Sequence, residues 1–216
     1  MAEVIFPPGC VVAVGLKSEA ALLPAGVRVV VSGGDPARLV ALLDALPGDV
    51  TAVLSFGLAG GLAPDIATGE VLVASALWED GMLWPADAAL LAGLSARRGL
   101  IAASAGLLSD AAAKAALHRS SGALAVDMES GAAARFARVR GLPFGVLRAV
   151  ADGPEDVLPA AASVGLNPDG SPAPGRVLAA LLRRPGDLPA LLRLALASAK
   201  AHAALQRVLA APVSLH

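Results

Sequence analysis

Ala125-Val126-Asp127-Met128-Glu129-Ser130 is the stretch that decides the fold. The apolar run Ala123-Leu124-Ala125-Val126 has the composition of a short buried strand, and Gly131–Arg140 behind it reads as a helix. Carboxylates at the carboxyl end of a strand, ahead of a helix, sit where open α/β sheets place their ligands. A second apolar strand, Gly145–Ala151, ends in another acid, Asp152. Two strand-end carboxylates and a methionine form a candidate active site. The alternative is that Asp127 and Glu129 serve only the helix, whose N-terminal dipole favours negative charge.

Within Gly145–Ala151 the period of two puts Arg148, Val150 and Asp152 on one face. Arg148 is therefore a candidate to neutralise a carboxylate of the site, to bind an anion, or to act as a structural ion-pair partner. Further upstream, the strand Ala52–Phe56 runs into Gly57-Leu58-Ala59-Gly60-Gly61, read as a glycine loop whose backbone N–H groups can approach a ligand closely. No Gly-Lys-Ser/Thr follows, so a P-loop is not indicated, and a tight turn is the plainer reading.

The remaining elements alternate. Cys10–Val14 and Val27–Val31 read as strands, with a short helix at Ala20–Leu23 capped by Ser18 between them. Asp35 caps a helix over Ala37–Leu46, with Pro36 in its first turn. Gly69–Ser75 is a strand, and Trp78–Pro85 is a loop whose two indoles are candidates to wall a pocket. Ala88–Arg97 and Asp110–His118 read as helices around a short strand, Leu100–Ala103. This alternation predicts an α/β fold: one domain over residues 1–216, with a central mixed twisted sheet and helices on both faces. Residues 154–216 are its C-terminal loop and helical extension: a loop from Pro154 to Pro174, then helices Arg176–Arg184 and Leu188–Ala210. His118, His202 and His216 pair with no nucleophile in the sequence and read as surface residues.

Composition narrows the function classes. Hydrophobic residues make up 56% of the chain, yet the longest charge-free run, Val50–Pro64, is 15 residues and is broken by glycine and proline. That is short of the roughly 18 needed to span a bilayer. Glu3 and Pro7-Pro8 interrupt any secretory signal, and a lone Cys10 fits a reducing, cytoplasmic setting. There is no Cys/His cluster for a metal. The net charge of −1 hides an asymmetry: from Ser171 onward six bases stand against Asp187 alone. A basic, leucine-rich tail without interleaved aromatics suggests peripheral contact with an anionic membrane surface rather than nucleic acid, or else an ordinary packed helix with a solvated stripe.

Ser55-Phe56-Gly57-Leu58-Ala59-Gly60-Gly61-Leu62, Gly69–Ser75, Ala125–Ser130 and Leu147-Arg148-Ala149-Val150-Ala151-Asp152 resemble, in order, the nucleoside phosphorylase/nucleosidase superfamily, above all methylthioadenosine/S-adenosylhomocysteine nucleosidases. Gly34-Asp35-Pro36-Ala37-Arg38-Leu39, Val126–Ser130 and Leu182-Arg183-Arg184-Pro185-Gly186-Asp187-Leu188 look like the hopanoid-biosynthesis-associated phosphorylase-like proteins of bacteria. The resemblance implies a nucleoside phosphorylase-like fold and a purine nucleoside substrate, with adenosylhopane as the lipid-linked form. It also implies no cofactor and a homodimer or higher homo-oligomer.

By the same resemblance, Asp152 is the acid that protonates the leaving base and Glu19 activates water. Glu129 accepts the ribose hydroxyls and Met128 packs against the sugar. Asp127, Gly57, Ala59, Gly60 and Ser75 complete the substrate site. Phosphorylases of this superfamily hold phosphate with arginines, one after the first strand and one before the glycine run. Here those places read Gly15-Leu16-Lys17 and Leu54-Ser55-Phe56. Lys17 and Arg148 remain as candidate anion-binding groups. A phosphate dianion without charge partners is poorly held, which favours hydrolysis over phosphorolysis. A nucleoside- or lipid-binding protein without catalysis is the reading from another class, and the retained acids argue against it.

Overall fold

The structure, a computed structural model, describes residues 6–211; His216 lies outside them. Eight strands form one mixed sheet. In chain order they are β1 (Cys10–Val14), β2 (Arg28–Val31), β3 (Ala52–Gly61), β4 (Val71–Glu79), β5 (Met82–Pro85), β6 (Arg97–Ala103), β7 (Ala125–Asp127) and β8 (Phe144–Asp152). The helices are α1 (Lys17–Ala20), α2 (Pro36–Asp44), α3 (Ala111–Ser121), α4 (Ser130–Arg140), α5 (Pro174–Arg183) and α6 (Leu188–Ala210). Strand β3 is central. It pairs in parallel with β1 and β8, and its far end pairs antiparallel with β7. Because β8 also pairs with β4, β4 with β6, and β6 with β7, the strands β3, β8, β4, β6 and β7 close a ring of ladders.

Side chains alternate across β8. Val146 and Val150 enter a core shared with Leu39 and Leu43 of α2 and Phe136 of α4; Leu147, Ala149 and Ala151 enter a second core under Ala201 and Leu205 of α6. Helices therefore cover both faces, as the alternation of elements predicts.

Several elements differ from the sequence reading. The glycine run is not a loop. Gly57–Gly61 is the second half of β3; its residues 57–60 are in register with Arg148–Asp152 of β8 through a bulge between Ala59 and Gly60, and Gly61 pairs with Ala125 of β7. Glycine is needed there because acids crowd the strand. A Cβ on Gly57 would collide with the Glu19 carboxyl group, and one on Gly60 would lie 3.3 Å from Asp152 Oδ2. Trp78–Pro85 is a hairpin rather than a loop: β4 and β5 pair antiparallel across Asp80-Gly81, both with positive φ as a tight hairpin turn requires. Its indoles do not line the cavity at the carboxyl ends of β1, β3 and β8 that holds the acids.

Ala88–Arg97 forms turns, not a helix. Asp87 accepts from Ala89 N, Gly93 adopts φ 81, and strand β6 already begins at Arg97. The helix after β1 starts earlier than expected. Its N-cap is Leu16, not Ser18, and Glu19 folds back to accept from the Leu16 N–H. Asp35 does cap α2, accepting from Ala37 N and Arg38 N. Between Pro154 and Pro174 the chain carries a 3₁₀ turn, Ala160–Val164, and a bridge between Leu166 and Pro172.

Candidate active site

Parallel strands β1, β3 and β8 bring their carboxyl ends together, and β7 joins them by pairing with the extended tip of β3. A cavity of ≈ 230 Å³ opens there. Its charged lining, among the described residues, is entirely acidic: Glu19, Asp127, Glu129 and Asp152. Ala59, Gly60 and Met128 line it as well. Gly57 sits just behind Glu19.

Each acid is held by its own set of donors. The Glu19 carboxylate accepts from Gly15 N at 2.9 Å and Leu16 N at 2.8 Å through Oε2, and from Leu58 N at 2.8 Å through Oε1. Burial pushes its pKa up, opposed by Arg148 and by the Leu58 and Leu16 N–H groups. Asp127 spends both oxygens on the protein. Oδ1 accepts from Glu129 N and Ser130 N at the start of α4, and Oδ2 from the Ser130 hydroxyl and from Arg148 Nε at 3.1 Å. The helix-terminus role for Asp127 is therefore realised, and so is a salt bridge to β8. Glu129 stands over Gly15, where a Cβ would lie 2.8 Å from its Oε1 and 3.5 Å from Glu19 Oε2. It accepts from Ser32 Oγ at 3.3 Å and faces Arg148 Nη2 at 3.5 Å. Burial pushes Glu129 up to about 7; Arg148 opposes this, and Asp127 and Glu19 add to it. Glu129 therefore titrates well above the ordinary carboxylate range.

Arg148 is fully buried and lies behind the acids, not in the cavity wall. Besides Asp127 and Glu129 it donates to Ser55 Oγ at 2.6 Å and to Leu58 O. It has the ion-pair role. Lys17 is exposed and paired with Asp169 at 2.6 Å, so it also does not reach the cavity. Ser75 is not brought to it either: it sits at the bulge between Ala74 and Ala76 of β4, with its side chain exposed. His118 and His202 are half-buried rather than on the surface. His118 Nδ1 bonds Ala123 O, and His202 Nε2 meets Ser18 Oγ at 3.1 Å.

Asp152 is nearly buried at the end of β8. Its partner is Lys114 of α3, which the sequence reading missed. Lys114 is fully buried, and its ammonium donates to Asp152 Oδ2. Burial pushes the Asp152 pKa up, and Lys114 pulls it back without cancelling the rise. The site therefore pairs one acid with a fixed cation on one wall, and two carboxylates crowded together on the other.

The sequence profile described as the Phosphorylase superfamily matches residues 22–183. The chain belongs to that superfamily. Among solved structures it is similar to the Helicobacter pylori 5'-methylthioadenosine/S-adenosyl homocysteine nucleosidase at 18% identity, over 68% of this chain and 86% of that one, with a TM-score of 0.61. It is similar to the corresponding nucleosidase from S. pneumoniae at 19% identity, over 93% and 99% of the two chains, with a TM-score of 0.59. Futalosine hydrolase of Helicobacter pylori matches at 19% identity over 68% and 85%, also with a TM-score of 0.59. No curated protein matches the sequence. At these identities the likeness establishes the fold, an α/β nucleoside phosphorylase/nucleosidase architecture.

Proposed function

We propose that this superfamily member is a purine N-glycosidase that uses water rather than phosphate. The observation that carries the reading is the cavity lining: four acids and, among the described residues, no lysine or arginine. A phosphate dianion placed there would face carboxylates, with Lys17 and Arg148 both engaged elsewhere. Purine leaves poorly as an anion. Asp152 delivers a proton to the base while the C1′–N9 electron pair moves onto it, and the ring passes through an oxocarbenium-like state. Glu129 takes the ribose hydroxyls and stabilises the developing charge. Glu19 accepts a proton from the attacking water, and C1′–O replaces C1′–N9. Met128 supplies an apolar wall. The named activities of the structural neighbours are consistent with this chemistry.

Substrate choice follows from the rest of the lining. Leu107, Leu108, Leu158, Ala162, Leu166 and Leu194 are apolar, which suits a nucleoside with an apolar 5′ substituent. Adenosylhopane, the lipid-linked nucleoside implied by the sequence resemblance, is our preferred candidate; methylthioadenosine is the water-soluble alternative. Incubation of each with and without phosphate, following free adenine and the sugar product, tests both points. Adenine release that depends on phosphate would replace hydrolysis by phosphorolysis.

Glu129→Gln should weaken substrate binding and slow turnover together, since hydroxyl bonds to a carboxylate strengthen as ring charge develops. Comparison of ribo and 2′-deoxy substrates checks this. Equal rates with the native protein would remove Glu129 from that role.

A membrane-resident substrate requires a meeting place. No helix among the described residues is long and apolar enough to cross a membrane. However, Leu178 and Leu182 of α5 and Leu188, Leu192 and Leu196 of α6 are exposed, beside Arg183, Arg184 and Arg193. We propose that this face rests on an anionic leaflet, where basic residues contribute about 1 kcal/mol each. Co-sedimentation should be stronger with anionic than with neutral vesicles and should weaken with salt. Binding unchanged by Arg183→Glu with Arg184→Glu would exclude the electrostatic version.

A further inference from the structure

Lys114 occupies the first turn of α3, behind the N-cap Asp110, in the run Ala111-Ala112-Ala113-Lys114-Ala115-Ala116. A lysine there would ordinarily point into water. Instead its side chain has no exposed surface, and all three ammonium protons are placed: on Asp152 Oδ2, on Gly153 O at 2.8 Å and on Asp156 O at 2.9 Å. A buried ammonium is tolerated only when so satisfied. All three acceptors belong to the segment that leaves β8. The same segment is fastened three times more, by Gly153 N to Asp156 Oδ2 at 2.7 Å, by Asp156 N to Gly153 O at 3.2 Å and by Leu158 N to Ser109 O at 2.8 Å. One oxygen of Asp152 is thus fixed, and among the described residues no hydrogen bond reaches the other.

We propose that Lys114 is the positioning residue of the acid: it pins one oxygen of Asp152 and the chain beyond it, so that the other oxygen faces the leaving base. The proposal rests on the glycosidase reading above. It has an electrostatic corollary. Asp152 faces Glu19, Asp127 and Glu129 across the shared cavity, and four further charged groups surround it: Lys114 from α3, Asp156 and Glu155 from the segment after β8, and Arg193 of α6 across the adjoining cavity. Lys114 is the cation that bonds it directly. It draws down a carboxyl whose pKa burial has raised, so loss of the ammonium raises that pKa further. The proton is then held to higher pH but is no longer aimed.

The test uses Lys114→Met and, as a variant that keeps a donor without the charge, Lys114→Gln. Adenine release from methylthioadenosine is measured against pH, with thermal unfolding beside it. For both variants the expected result is a kcat lower by about tenfold or more with KM nearly unchanged, and a basic limb displaced upward by about one pH unit. A purely structural lysine would lower the folded fraction without moving the limb. The Asp152 carboxyl is also titrated by ¹³C NMR in the native protein and both variants. Its midpoint should rise in the variants whether or not the native protein cleaves methylthioadenosine, which separates failure of this assignment from failure of the glycosidase reading. An unmoved midpoint, an unmoved limb, or loss of the fold in both variants would overturn it.

Discussion

Asp152→Asn should reduce adenine release by at least about a hundredfold, the usual scale for losing a general acid. The amide still offers an oxygen to Lys114, so the contact survives in outline. Its charge does not survive, and a buried ammonium is left facing a neutral partner. Deleting one member of a buried ion pair costs about 3–5 kcal/mol; retention of the acceptor keeps the cost below that range. The variant should therefore remain folded with a lower melting temperature. Rates are to be compared at a temperature where circular dichroism shows both proteins native. Near-normal turnover under those conditions would remove Asp152 from the mechanism.

Glu19→Gln should be comparably damaging, by about 10²–10⁴ in kcat, because the attacking water loses its base. This substitution has a further consequence. Glu19 helps to push the neighbouring Glu129 up to about 7. With a neutral amide at position 19 that repulsion disappears, so Glu129 should ionise at lower pH. The acidic limb of the residual activity should move down accordingly. Glutamine also carries only one acceptor oxygen against the three backbone N–H groups that Glu19 satisfies, so the Leu58 N–H or the pair at Gly15 and Leu16 loses its partner. An unsatisfied buried donor costs about 1–3 kcal/mol. Full activity in a correctly folded Glu19→Gln protein would require another base for the water.

Much of the architecture was legible from local pattern. Strands β1, β3, β7 and β8 announce themselves as apolar runs ending in glycine or acid, and Asp35-Pro36 marks the start of α2. Asp127, Glu129 and Asp152 were legible because each sits at an element boundary, where a side chain can face a cavity without leaving the ladder; Glu19, inside α1, was named only through the family resemblance. What local pattern could not convey was partnership. Gly57–Gly61 looked like a loop because glycine is a turn signal, but here it is demanded by Glu19 and Asp152, which lie far along the chain in opposite directions. Ala88–Arg97 looked helical by composition, yet its leucines reach the core from turns that Asp87 and Gly93 impose. Lys114 gave almost no sign. Nothing in an alanine-rich helix distinguishes a solvated lysine from one whose partner is 38 residues away. Its only signal was that it is the sole charged residue between Asp110 and His118.

The ring of ladders bears on how this chain can associate. Strands β3, β7 and β8, which carry or flank the acids, each have neighbours on two sides, so none offers an open row of backbone groups. Among the described residues such open rows remain only at the sheet's two margins, β2 and β5. Strand β2 is short, and β5 ends in Pro85, which has no N–H to donate; both features discourage strand-to-strand addition. Copies of this chain should therefore meet through side-chain surfaces rather than by extending the sheet, and association should leave the hydrogen bonding around the acids unchanged.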